Sequence, residues 1–163
     1  MFIMLLLLQT VVIDPINLGA YATPVLYVLF IMLWPTNVKP WVTLVVCFAA
    51  GQIADIFSAT GGIHSFTMVL TALVRYYIQP LFVSKDEAEK AYEPNLFNLG
   101  YRLFFFYALS LTLTYHIVFS FLEKFSFHYF FSTLATAIIS TLLSVVMIFL
   151  IQLLFYRIRP EEV

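Results

Sequence analysis

The sequence predicts an all-α fold: a polytopic membrane bundle of about six transmembrane helices, forming one integral membrane domain over residues 1–163. Three observations predict it. The chain is 63% hydrophobic and 10% charged, with a mean hydropathy of +0.97, whereas soluble domains carry about 25% charged residues. The apolar residues fall into stretches separated by short polar gaps. Finally, Lys39, Arg75, Lys85, Lys90, Arg102, Arg157 and Arg159 all fall on one side of the zigzag, and Lys124 alone on the other. Excess Lys and Arg mark cytoplasmic loops, so the gaps near Lys39 and over residues 84–98 are predicted inside, with the C-terminus.

The first stretch, residues 2–13, is short for a span, which needs about 20 apolar residues. It reads as a first transmembrane helix with a short upstream end. The competing reading is a signal peptide cleaved near Ala20-Tyr21-Ala22, which lacks the expected basic n-region. The second stretch, 24–34, opens with Pro24, and Pro35 and Pro40 bound a tight inner turn flanked by Trp34 and Trp41. Proline suits a first helical turn, and indole rings favour the membrane interface. The third stretch runs over 41–57 and the fourth over 64–79, ended by Pro80. The fifth covers 101–122 and the sixth 129–156. The hydrophilic segment 84–98, with its mixed charges, reads as a solvated connector, with docking of a cytoplasmic partner as the alternative.

Asp55 is the outstanding polar position. A carboxylate at membrane depth costs a few kcal/mol on insertion scales, so it turns inward and takes partners. Gly51 shares its helix face at a spacing of four. Ala50 and Ala54 form a small-xxx-small pair that permits close helix approach. Ser58, Thr60, Gly61 and Gly62 follow in a breaker-rich turn whose hydroxyls and N–H groups are candidate partners. The expected role is an acidic staple closing the hairpin of stretches three and four, ahead of a proton or ion site. His64 and His116 are expected at the same level, but no ligand-like spacing such as H-x-x-x-H supports a metal. Arg75 is expected to snorkel to the inner interface as an anchor, with a lipid phosphate as the functional alternative. Cys47, the single cysteine, reads as a small packing residue. Ser132, Thr136, Ser140 and Ser144 recur at intervals of four and read as a packing stripe.

The chain carries no Walker A loop, no G-x-S-x-G and no H-E-x-x-H, so the expectation is a non-enzyme without cofactor or metal.

Gly51-x-x-x-Asp55-x-x-Ser58, a glycine turn and a following apolar helix resemble the MreD family of rod shape-determining proteins. The segment Gly19-Ala20-Tyr21-Ala22-Thr23-Pro24 resembles versions found in Bacteroidetes-type bacteria. The resemblance covers nearly the whole chain. It implies a bacterial inner-membrane component of the cell-elongation machinery, and a bundle resembling the substrate-binding components of energy-coupling-factor transporters. It implies MreC as partner, with MreB, RodA and a class B penicillin-binding protein in the same assembly and no nucleic acid. The small hydroxyl residues Ser140 and Ser144 make the sixth stretch a candidate contact for the transmembrane helix of MreC, with packing inside the chain as the alternative. The alternative function is a substrate-binding membrane subunit of an energy-coupling-factor vitamin transporter.

Overall fold

The computed structural model describes residues 2–9, 23–84, 86, 92–124 and 130–156. Among these the chain is helical, with no strand. The helices are α1 (Phe2–Leu8), α2 (Val28–Met32), α3 (Pro40–Ser58), α4 (Ile63–Ile78), α5 (Leu96–Lys124) and α6 (Phe130–Tyr156), with a 3-10 turn at Gln79–Leu81 after α4.

Among the described residues, three segments are long and apolar enough to cross a membrane: Pro40–Ser58, Leu96–Lys124 and Phe130–Leu154. The count of about six stays an expectation. Within the second stretch the helix α2 has 5 residues, far short of a span. The reason is burial. Val25, Leu26, Tyr27, Val28, Leu29, Ile31 and Met32 are all enclosed, and α2 packs against α4 and α5. A segment apolar on every side because it fills a bundle centre has the hydropathy of a lipid-crossing one. The extent of the first stretch beyond Gln9, the Ala20-Tyr21-Ala22 segment, most of the charged connector and the basic C-terminus lie outside the described residues.

The bundle is two helical hairpins laid side by side. α3 packs on α4, α5 on α6, and α4 against α5 joins them. The outer faces are apolar: Trp41, Val45, Phe48 and Ile56 on α3, and Phe131, Leu142, Val146 and Leu150 on α6, are exposed. Such faces suit a lipid surround and suggest membrane insertion.

Local sequence explains the helix ends. Pro40 occupies the first turn of α3, where a missing N–H is harmless. At the other end Ala59 adopts the left-handed conformation and its N–H returns to the Asp55 carbonyl. Gly61 and Gly62 follow at φ 61° and 104°, values open to glycine and strained for other residues. They reverse the chain directly into α4. In α5, Gly100 breaks the helical dihedrals. Asn95 Oδ1 accepts from the Phe97 and Asn98 N–H groups and caps the short turn before that break.

Candidate functional site: a buried polar core

Asp55 lies on the inner face of α3, one turn after Gly51. The fold depends on what Gly51 lacks. A Cβ built on it would lie 2.3 Å from Ser65 Cα and 2.8 Å from Ser65 N. The backbone at the start of α4 therefore rests directly on α3, and this brings the α4 N-terminus to the carboxylate. Asp55 Oδ1 accepts from Thr60 Oγ1 at 2.6 Å and from the His64 N–H at 3.0 Å. Oδ2 accepts from the Ser65 N–H at 2.9 Å and from Ser65 Oγ at 2.5 Å. Gly62, at the cap position, offers no side chain. Asp55 thus caps α4 from the neighbouring helix, with its negative charge at the positive end of the helix dipole. Gln52 Nε2 donates to Ser65 Oγ at 2.8 Å and extends the joint.

Of the residues grouped in the sequence, Gly51, Asp55, Gly61 and Gly62 meet in this joint. Ser58 does not. It ends α3 with its side chain exposed, and the hydroxyls that reach the carboxylate come from Thr60 and Ser65. Ser65 was missed, although its position one turn into α4, opposite a glycine, is where a capping hydroxyl is needed.

A second cluster begins at the side chain of His64. Its Nδ1 lies 2.5 Å from Tyr27 Oη and 2.6 Å from Tyr115 Oη, and the two phenols are 2.9 Å apart. Phe119 stacks on the imidazole with centroids 4.7 Å apart. All four side chains are buried. The triangle ties α4 and α5 to Tyr27, the residue just before α2.

A third cluster holds non-helical backbone inside the bundle. The Thr23 N–H donates to Ser140 Oγ at 3.0 Å, and the Val25 N–H to Ser144 Oγ at 2.8 Å. Gln9 Nε2 donates to the Pro24 carbonyl at 2.7 Å, while Gln9 Oε1 accepts from the Leu26 N–H at 2.9 Å. Irregular backbone at membrane depth survives only where protein satisfies it. Of the two readings of Ser140 and Ser144, this corrects the partner contact and agrees with packing inside the chain. Both are 0% exposed, and they cap an unwound segment of their own chain, so neither is open to a partner helix.

His116 hydrogen-bonds Ser144 through Nε2 at 3.0 Å. Its Nδ1 and the Thr112 hydroxyl, one turn earlier on the same face, are buried without a partner. No group of His, Cys, Asp or Glu suited to a metal occurs among the described residues. Ser144→Ala strands the Val25 N–H and removes the partner of His116. It is expected to cost about 1–3 kcal/mol, read as a lower thermal midpoint in detergent, whereas exposed Ser132→Ala should leave the midpoint unchanged.

Arg75 also departs from expectation. It is 4% exposed and turned inward. Its Nε donates to Tyr107 Oη at 2.9 Å and its Nη2 to the Trp34 carbonyl. Its side chain is held by Tyr107 and the Trp34 carbonyl on the wall of a cleft instead of extending into solvent.

No family model, curated protein or solved structure matches this chain. The functional reading therefore rests on the residues themselves. What they build is a set of joints: Asp55 between α3 and α4, His64 between three helices, and Ser140 and Ser144 on the unwound segment.

Proposed function

We propose that this chain is a non-catalytic, MreD-like component of the bacterial cell-elongation complex, supporting cell shape and peptidoglycan synthesis by binding MreC. The observation that carries the reading is the division of labour between inside and outside. Asp55, His64, Arg75, His116, Ser140 and Ser144 are buried and bonded within the chain, while the outer faces of α3 and α6 are apolar. A bundle built this way offers helix surfaces to its surroundings. Association in lipid relies on close packing and interhelical hydrogen bonds. The contact with MreC then falls on an outward face, not on Ser140 and Ser144. The Gly51-x-x-x-Asp55 pattern that carries the family resemblance is, in the structure, the joint that sets the α3–α4 hairpin. The Lys and Arg distribution supports an inner-membrane location with the C-terminus cytoplasmic.

The test is co-expression with MreC and recovery in mild detergent. The expected result is a complex that survives size-exclusion chromatography. Well-folded chain recovered without MreC overturns the proposal, and co-purification of a tightly bound vitamin favours the transporter-subunit alternative. Topology is checked with single cysteines, since native Cys47 is buried. Ser58→Cys is expected to label from the outer side of intact cells, and Glu93→Cys only after permeabilisation. The reverse pattern inverts the orientation.

A further inference from the structure

We propose that the cleft between the turn before α3 and the end of α4 seats the phosphate of an anionic phospholipid headgroup. The cleft has a volume of about 710 Å³, and its lining includes Thr36, Asn37, Lys39, Arg75, Tyr76 and Tyr77. Two of these are cations, and no carboxylate lines the cleft among the described residues. Arg75 is the decisive member. A buried guanidinium is costly unless compensated, yet its bonds run to a neutral phenol and a neutral carbonyl. An anion in the cleft supplies the missing countercharge. The N-terminus of α3 opens on the same cleft through Pro40 and lacks a side-chain cap, so its dipole favours the same ligand.

The surroundings identify the source of the phosphate. Trp41, Tyr76 and Tyr77 are exposed beside the cleft, and amphipathic rings of this kind sit at the headgroup level of a bilayer. A guanidinium and an ammonium facing one pocket at that level match a headgroup with net negative charge.

The test uses the full chain in detergent, stripped of lipid, with retention read by native mass spectrometry. Phosphatidylglycerol, phosphatidylcholine and inorganic phosphate are offered separately. Phosphatidylglycerol is expected to be retained in preference to phosphatidylcholine. Lys39 is exposed and enters the fold through its backbone, so Lys39→Gln should preserve the thermal midpoint while weakening retention about fivefold. Arg75→Lys, which keeps the charge, should retain more lipid than Arg75→Gln. Equal retention of the two lipids, or unchanged retention by Lys39→Gln, overturns the proposal. Retention of inorganic phosphate without phosphatidylglycerol assigns the cleft to a soluble phosphate and overturns the lipid source.

Discussion

Gly51→Ala is expected to separate α3 from α4 and reduce the yield of folded protein sharply. The added methyl meets Ser65 Cα at 2.3 Å and Ser65 N at 2.8 Å. Both are backbone atoms, so no rotamer change relieves the overlap and the start of α4 must move as a unit. Overpacking of this kind costs about 1–3 kcal/mol. Here the displacement also pulls the His64 and Ser65 N–H groups off the Asp55 carboxylate. The measurement is the thermal midpoint and monodisperse yield in detergent. Ser58→Ala, on an exposed hydroxyl of the same helix, serves as the control and should change stability by no more than about 0.5 kcal/mol. A stable Gly51→Ala protein would show that the hairpin tolerates a wider separation than its geometry implies.

Asp55→Ala is expected to be at least as damaging, by a different route. It removes the acceptor for two backbone N–H groups and two hydroxyls at once. Each buried donor left unpaired costs about 1–3 kcal/mol, and no side chain at Gly62 can substitute. Asp55→Asn should be intermediate. One oxygen still accepts, but the new amide turns a donor toward N–H and hydroxyl donors. The ranking wild type, Asn, Ala in accumulated membrane protein checks this. Under the proposed function, normal accumulation of both variants combined with loss of rod elongation would move Asp55 from a joint to signalling or ion handling.

Helical class was legible in composition, and α3 was legible almost to its ends because Pro40 and the glycine turn punctuate it. The start of the fifth apolar stretch at Tyr101 coincides with the break at Gly100. The inward turn of Asp55 followed from the cost of a carboxylate in lipid. Three features were not legible. The burial of most of residues 25–32 was hidden because hydropathy measures aversion to water and cannot separate lipid from protein as the refuge. The roles of Ser140 and Ser144 were hidden because their partners are backbone N–H groups more than a hundred residues away. Arg75 was misread because its acceptors, Tyr107 Oη and the Trp34 carbonyl, become neighbours only after three helices assemble.

The link between the Val25 N–H and Ser144 spans 119 residues of chain, and this constrains biogenesis. Residues 23–26 emerge early in synthesis, but two of the hydroxyls that satisfy their backbone emerge near the end. Until α6 inserts, this segment must stay hydrated at the interface or be shielded by the insertion machinery. Contacts of such separation form late. The expected consequence is that α6 closes the bundle last, so a nascent chain arrested before residue 130 should remain protease-sensitive near Pro24.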